Sequence, residues 1–401
     1  MKYIIKRSEE KLISYLLDDN SHAVEIRADA PAAGPAVGDI YIGRVDRVLK
    51  NIQAAFVDVI PGVSGYLGFD DIVEPIYTKK GPSPDIQPGD ELVVQISREA
   101  FGSKDMALTT KLSFRGKYSV MTIGGVGLGV SKKLSHEQRD SFKKELLSND
   151  DFKRFQKESG GAGVTVRTAA GELGEDTAKK TILTELERLK AEIVKLRLTA
   201  PYRAAYTAMI KQPPKWIRRI ERYTDQVSQI LTDDESVFRR LKEYFDSDAG
   251  TLSKLRLYQD SMVPMEKLFS LERELERATR KRVDLKSGAD LVIETTEALH
   301  VIDVNSGRSR DGKNKEEAIL KVNLEAAAEC ARQMRLRNLS GIIVIDFINM
   351  KEYRNNLKVM EELRRCSAAD PCRTSVVELT KLGLVEVTRR KVDVPLAMQL
   401  R

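Results

Sequence analysis

Two apolar runs in this sequence each end in an aspartate, a side chain that divalent cations favour as a ligand. The runs are Val301-Ile302-Asp303, which continues through Val304 to Asn305, and Ile342-Ile343-Val344-Ile345-Asp346. Because side chains two residues apart project from the same face of a strand, Asp303 and Asn305 are expected to share a face. A carboxylate at the end of an apolar run costs desolvation free energy unless it has a partner. For two carboxylates that meet, the natural partner is a divalent cation. The pattern therefore predicts a metal-dependent hydrolase.

The structural alternative is that each aspartate only caps the turn or helix that follows it. Other chemistries have less support from the sequence. The three histidines, at positions 22, 136 and 300, have no serine or cysteine elbow beside them. The three cysteines, at positions 330, 366 and 372, match no zinc-ligand spacing. Carboxylates with a metal ion remain the better hypothesis.

Length and charge narrow the class of protein. A chain of 401 residues is longer than one hydrophobic core usually supports, so two or more domains are expected. A net charge of +7 and a pI near 9.0 suggest a polyanionic partner, although a generally basic surface would explain them equally well. The apolar N-terminal run Met1–Ile5 is too short for a signal peptide or a membrane helix. We therefore expect a cytoplasmic protein with no membrane partner.

Residues 36–112 consist of short β-type runs separated by turn residues, which predicts a small closed barrel. The runs begin at Asp39, Ala54, Gly65, Glu91 and Met106. The segment resembles the S1 RNA-binding domain, an OB-type barrel, through Gly43-x-Val45, Ala55-Phe56-Val57-Asp58 and Gly65-Tyr66-Leu67. Phe56 and Tyr66, with Lys104 nearby, would stack bases and neutralise phosphate. The alternative is that both aromatic rings belong to the barrel core.

The rest of the chain is mixed α and β structure. Residues 113–205 end in a predicted helix, which Pro201 terminates, with an apolar seam at Ile182, Leu186, Leu189, Ile193 and Leu196. Burial of this seam within one subunit is favoured over pairing between subunits. Residues 206–277 are predicted to be largely helical. From residue 278 the pattern predicts strands at 291–294, 299–303, 341–346 and 375–379, with a long helix that Gly341 closes.

The chain resembles the ribonuclease E/G family over essentially its whole length. Three strings carry the resemblance most specifically. They are Thr296-Glu-Ala-Leu with Ile302-Asp-Val-Asn-Ser306, Asn323-Leu-Glu-Ala-Ala327 with Ala331-Arg-Gln-Met-Arg-Leu-Arg337, and Gly341-Ile-Ile-Val-Ile-Asp-Phe347. The resemblance implies an RNase H-like domain (1–35 and 206–277) interrupted by an S1 barrel (36–112) and a 5′-sensor (113–205). An α/β DNase I-like catalytic domain (278–401) follows.

The resemblance also implies an activity and its residues. Asp303 and Asp346 would hold Mg²⁺ and Asn305 would orient the attacked phosphate or water, giving endonucleolytic cuts that leave a 5′-phosphate and a 3′-hydroxyl. Single-stranded RNA would bind at Phe56, Tyr66 and Lys104, although the position of Tyr66 is more usually phenylalanine. The 5′-monophosphate sensor would comprise Gly116, Val120, Arg167 and Thr168, where the local pattern alone would suggest an ordinary strand end. The expected substrates are precursors of rRNA and tRNA, and mRNA.

One departure from the family pattern concerns assembly. The sequence ends at Met398-Gln-Leu-Arg401 without the Cys-x-x-Cys pair that links protomers through zinc in the family. We therefore expect a homodimer or a monomer in place of a tetramer, and no bound zinc. Two rival functions remain: a catalytically silent RNA-binding protein, which salt-sensitive binding without cleavage would reveal, and a nuclease that prefers DNA.

Overall fold

The computed structural model describes residues 1–30, 34–100, 105–246, 248–307 and 315–400, with only the backbone of residues 175 and 176. The chain divides into two compact units, Met1–Ala32 with Lys215–Arg401, and Ala33–Pro214. Across these described ranges, no helix combines the length and apolar character that a membrane crossing needs.

The strands are β1 (Lys2–Ser8), β2 (Lys11–Leu17), β3 (Ala23–Asp29), β4 (Ile40–Leu49), β5 (Ala54–Ile60), β6 (Val63–Gly68), β7 (Tyr77–Lys79), β8 (Glu91–Arg98), β9 (Met106–Thr109), β10 (Ser113–Arg115), β11 (Ser119–Thr122), β12 (Leu128–Val130), β13 (Gly163–Val166), β14 (Ala208–Ile210), β15 (Gln229–Thr232), β16 (Leu255–Leu257), β17 (Arg282–Asp284), β18 (Asp290–Thr295), β19 (Leu299–Asn305), β20 (Gly341–Asp346), β21 (Thr374–Leu379) and β22 (Leu384–Arg389). The α-helices are α1 (His136–Ser148), α2 (Asp150–Glu158), α3 (Glu175–Thr199), α4 (Lys215–Tyr223), α5 (Glu235–Tyr244), α6 (Ala249–Leu252), α7 (Met265–Leu268), α8 (Leu271–Thr279), α9 (Lys315–Leu336), α10 (Tyr353–Ser367) and α11 (Leu396–Gln399).

The unit Ala33–Pro214 begins with a closed five-stranded barrel. Its strands pair in the order β4-β5-β6-β9-β8, and β8 pairs back with β4. The interior is filled by alternating apolar side chains of these strands, including Val57 and Val94. At Gly43 a Cβ atom would collide with both valines, so the glycine allows the strands to close. The predicted barrel is confirmed, and its form is consistent with an OB or S1-like domain.

A second sheet follows in the same unit, with strand order β10-β11-β13-β12. Helix α3 packs against it through the predicted apolar seam, whose five residues are at most 5% exposed. Because this seam is buried in the chain's own core, the prediction of burial within one subunit is confirmed and pairing between subunits is wrong. The helix ends at Thr199, just before Pro201, as predicted.

In the other unit, the first strands of the chain pair with strands that lie far along the sequence. The sheet order is β16-β15-β1-β2-β3, and β1 runs parallel to β15. The prediction that residues 206–277 are largely helical is therefore wrong at β15 and β16. It is also wrong at β14, which pairs with β4 in the unit Ala33–Pro214. In β15, three of four residues are buried. Such a short strand shows no clear alternation, which explains why the charged helices around it dominate the sequence pattern.

The last sheet carries the two aspartate-terminated strands. Its order is β17-β18-β19-β20-β22-β21, and β19 and β20 are parallel neighbours. Helices α9 and α10 cover one face, where their apolar side chains form a single core with the sheet. The four strands predicted beyond residue 278 are confirmed. Strands β17 and β22 were missed, although the alternation of buried Val385 and Val387 in β22 is a strand signal.

The end of α9 differs from the prediction. The helix stops at Leu336, and the left-handed residue after it is Asn338, with φ of 53°. Asparagine adopts this conformation more readily than most residues, so it ends the helix without a glycine. Gly341, predicted to close the helix, is instead the first residue of β20, with φ of 93°.

Candidate active site

Asp303 and Asp346 lie side by side in the last sheet. They are register partners in the parallel pair of β19 and β20, so their backbones are about 5 Å apart. Their neighbours Ile302 and Ile345 are 0% exposed and point into the helix-covered core. Since side chains alternate along a strand, both carboxylates project from the opposite, solvent-accessible face. The structure thus brings together the two aspartates that the sequence singled out.

Few described protein groups offset the negative charge of these two carboxylates. The Nδ2 atom of Asn305 donates to Oδ2 of Asp303 at 3.0 Å, which places the third predicted residue at the same site. Within the described ranges, Asp346 has no hydrogen bond or ion pair. No backbone N–H there donates to either carboxylate, so neither aspartate caps a turn. Adjacent like charges on a sheet are destabilising without a counter-ion.

The donor set fits a hard divalent cation such as Mg²⁺. Two carboxylates are hard oxygen ligands, and Mg²⁺ commonly binds through one or two of them while it retains several waters. In the described part of the chain, no group of three or more histidine, cysteine, aspartate or glutamate side chains could hold a metal ion. An ion held by Asp303 and Asp346 would therefore take its remaining ligands from water.

Helix α9 positions the segment that follows Asp346. The buried side chain of Asn323 accepts a hydrogen bond from the Ile348 N–H at 3.1 Å and donates to the Ile348 carbonyl at 2.8 Å. Glu316, in the first turn of the helix, accepts from the N–H groups of Glu352 and Lys351, and these bonds lower the pKa of its carboxyl. Neither role could be predicted from local sequence patterns, because these contacts link residues far apart in the chain.

A close backbone approach defines the end of β19. Gly307 has φ of 58°, and a Cβ atom there would overlap the carbonyl oxygen of Gly288. Only glycine tolerates both the conformation and the contact. The strand end that carries Asn305 is therefore held directly against the turn that precedes β18.

The barrel in the other unit presents an aromatic pair. Phe56 and Tyr66 are register partners on β5 and β6, and their rings meet edge to face at 6.1 Å between centroids. Both are half-buried on the outer surface, whereas their neighbours point inward. The alternative that these rings belong to the barrel core is therefore wrong. Lys104, the third predicted residue of this group, lies outside the described residues.

Arg47 joins this aromatic pair and was missed from the sequence. Its guanidinium lies 4.5 Å from the centroid of the Phe56 ring, a cation–π contact, and its side chain is 62% exposed. The pairing of β4 with β5 is irregular between Val45 and Arg47. This bulge moves Arg47 to the outer face, whereas strict alternation from Val45 would place it inside. No local sequence signal therefore predicts the outward position of Arg47.

The four predicted sensor residues lie on neighbouring strands and turns of the second sheet. A guanidinium nitrogen of Arg167 donates to the Gly116 carbonyl, and the Arg167 N–H donates to the Tyr118 carbonyl at 2.8 Å. The Thr168 hydroxyl is 2.9 Å from the Ser131 hydroxyl. Val120 lies in β11, paired with Thr165 next to the end of β13. The structure thus places Gly116, Arg167 and Thr168 around one small region, with Val120 on the adjacent strand.

Comparison with known proteins assigns the chain to a family. Its residues 113–392 match the model of the Ribonuclease E/G family. It is 34% identical to a protein named Ribonuclease E from Synechocystis sp., over 88% of this chain and 52% of that relative. It is 31% identical to a protein named Ribonuclease G from Escherichia coli, over 95% of this chain and 78% of the relative. The chain belongs to the ribonuclease E/G family. It spans about half the length of the ribonuclease E relatives from Synechocystis sp. and Nostoc sp..

Proposed function

We propose that this protein is a Mg²⁺-dependent endoribonuclease that cleaves single-stranded RNA and leaves 5′-phosphate and 3′-hydroxyl ends. The observation that carries this proposal is the pairing of Asp303 and Asp346 on an open sheet face, with Asn305 as the only described hydrogen-bond partner of either carboxylate. The names of the relatives support RNA as the substrate. Precursors of rRNA and tRNA, and mRNA, are the proposed targets.

The residues of the site have separate tasks. Asp303 and Asp346 would hold the ion, which would lower the pKa of a water molecule and neutralise charge that develops on the phosphate oxygens. Asn305 fixes one oxygen of Asp303 through its amide nitrogen. Its carbonyl oxygen accepts no hydrogen bond from the described residues, so it can orient a water molecule or the substrate. Asn323 holds the segment that follows Asp346 in place, because its side chain binds both the N–H and the carbonyl of Ile348.

The barrel would supply the grip on unpaired RNA. A base can stack on the exposed parts of Phe56 and Tyr66, and stacking of this kind tolerates any sequence because every base has a flat π-face. Arg47 adds a planar cation that suits both bases and phosphates. The basic net charge of +7 favours association with a polyanion.

The sensor residues would make cleavage depend on the RNA 5′ end. Arg167 offers a fork of donors and Thr168 a hydroxyl, which together suit a terminal phosphate. In this proposal, residues 113–205 are the 5′-sensor, residues 36–112 the S1 domain, segments 1–35 and 206–277 the RNase H-like domain and 278–401 the DNase I-like domain. A 5′-monophosphate would then stimulate cleavage relative to a 5′-hydroxyl.

The test is cleavage of a labelled, A/U-rich single-stranded oligonucleotide with and without Mg²⁺. Internal cuts that need Mg²⁺ and disappear in Asp303→Asn and Asp346→Asn are the expected result. Asp284→Asn is the matched control, because Asp284 is 92% exposed on β17 of the same sheet. Cutting that persists in both site variants would overturn the assignment. Salt-sensitive binding without any cleavage would identify a silent RNA-binding protein, and a preference for DNA of the same sequence would identify a DNase.

A further inference from the structure

Glu185 on α3 binds a row of backbone N–H groups in the turn between β10 and β11. Its carboxylate accepts from the N–H groups of Lys117 at 2.5 Å, Tyr118 at 3.0 Å and Ser119 at 2.7 Å. It also accepts from the Ser119 hydroxyl at 2.7 Å. Bonds from N–H and O–H donors to an ionised carboxylate are stronger than bonds between neutral groups. One side chain therefore holds all three peptides of this turn.

The same turn contacts Arg167 through its carbonyl groups. Gly116 accepts from the Arg167 guanidinium, and Tyr118 accepts from the Arg167 N–H. The turn thus binds Glu185 through its N–H groups and Arg167 through two carbonyl groups, of which only that of Gly116 contacts the guanidinium. A displacement of the turn must change the acceptor that orients the guanidinium.

The glycine at position 116 is explained by this arrangement. A Cβ atom at Gly116 would overlap the carboxyl group of Glu185. An alanine there would push that carboxylate away from its N–H donors, even though the backbone conformation of Gly116 is open to other residues. Gly116 is therefore required for the contact between Glu185 and the turn.

We propose that Glu185 is a positioning residue of the 5′-monophosphate sensor, which acts through the turn at residues 116–119 to hold Arg167 ready for the phosphate. This inference rests on the proposed stimulation by a 5′-monophosphate. Arginine has many rotamers, and its side chain loses conformational entropy when it binds phosphate. A fixed carbonyl acceptor restricts the rotamers of free Arg167 and so reduces that loss. In this proposal, cleavage of RNA with a 5′-hydroxyl does not depend on Glu185.

The experiment compares two oligonucleotides of one sequence that differ only in a 5′-phosphate or a 5′-hydroxyl. The measured quantity is the ratio of their kcat/KM values. Glu185→Gln replaces one carboxylate oxygen with an NH2 group, which repels the N–H donors of the turn. The ratio should then fall by about threefold or more, as expected for residues in one hydrogen-bond network. The kcat/KM for the 5′-hydroxyl substrate should not change. Glu187→Gln is the matched control on α3, because Glu187 is 59% exposed and contacts Lys190.

Two further variants separate positioning from general stability. Gly116→Ala should lower the ratio as Glu185→Gln does. Adding Glu185→Gln to Arg167→Ala should cause no further loss, because Glu185 acts through Arg167. A wild-type ratio of one would overturn the proposed stimulation and this inference with it. A wild-type ratio above one that Glu185→Gln leaves unchanged would overturn this inference alone. If Glu185→Gln lowers kcat/KM equally for both substrates and also lowers the Tm, Glu185 has a structural role only, and this inference is again overturned.

Discussion

Asp346→Asn should affect stability in opposite ways with and without Mg²⁺. Asp346 and Asp303 are register partners about 5 Å apart, and Asp346 has no hydrogen bond or ion pair among the described residues. At this distance two like charges repel by about 3 kcal/mol at an effective dielectric constant of about 20. Because Asp303 is half-exposed and Asp346 exposed, solvent reduces the repulsion to about 1 kcal/mol or less. In EDTA the variant should therefore be as stable as the wild type, or more stable by up to that amount.

Added Mg²⁺ should reverse the order of stability. A ligand present at 100 times its Kd stabilises the folded state by about 2.7 kcal/mol, and the wild type should gain this free energy. The variant keeps one carboxylate and should gain only a small part of it. Urea unfolding can be followed by the fluorescence of Trp216, the single tryptophan, which is 2% exposed in the same unit as both aspartates. Asp284→Asn serves as the control and should gain as much as the wild type.

Two outcomes would refute this reasoning. A loss of more than about 1 kcal/mol in EDTA would mean that the Asp346 carboxylate has a structural partner, since only a made interaction can be lost. A full Mg²⁺ response in Asp346→Asn would mean that the ion binds elsewhere. Either result would remove the physical basis of the proposed active site.

Two other predictions concern the buried ion network and the barrel. Burial raises the pKa of Glu25, but the Arg27 and Arg219 guanidiniums outweigh it and hold that pKa at about 2. A carboxyl whose pKa is lowered on folding stabilises the protein above its unfolded pKa near 4.5, so about 3 kcal/mol should be lost as the pH falls from 5 to 2. Between pH 5 and 2, the urea midpoint of Glu25→Gln should depend less on pH than the midpoint of the wild type. An equal fall of the midpoint in both proteins would contradict the lowered pKa of Glu25. Phe56→Ala should weaken binding of single-stranded RNA by about 1–3 kcal/mol in fluorescence anisotropy at fixed salt, and an unchanged Kd would exclude base stacking there.

The features that sequence reasoning predicted depend on local patterns. The barrel strands alternate clearly between inward and outward residues, and turn residues separate them, so their positions follow from the chain itself. Asp303 and Asp346 each end an apolar run, which is visible without knowledge of the fold. The structure adds that β19 and β20 are parallel neighbours joined by a helix, and the carboxyl ends of such strands share one sheet edge.

The features that sequence reasoning missed depend on contacts between distant residues. Arg47 reaches the outer face of the barrel only because a bulge interrupts the alternation of β4. Asn323 and Glu185 lie on helices whose own pattern predicts only which face is buried, whereas their roles come from loops they bind far away in the sequence. Strand β15 has only four residues, which is too few to show the alternation typical of a strand. For Asn323 and Glu185 the physical cause is a partner that no local window contains.

The sheet that contains β1 has a consequence for how the protein is made. Its central strand, Lys2–Ser8, needs Gln229–Thr232 as a neighbour, and the register partners Lys2 and Gln229 are 227 residues apart in the chain. At translation rates of about 5–20 residues per second, the ribosome takes roughly 11 to 45 s to produce the missing partner. During that interval β1, β2 and β3 can form at most a three-stranded hairpin sheet in which β1 is an unpaired edge. The barrel strands β4, β5, β6, β8 and β9 are all made before β15. Biogenesis should therefore start in the middle of the chain, and the nascent N-terminal hairpins are the segment on which a chaperone that covers bare strand edges would act.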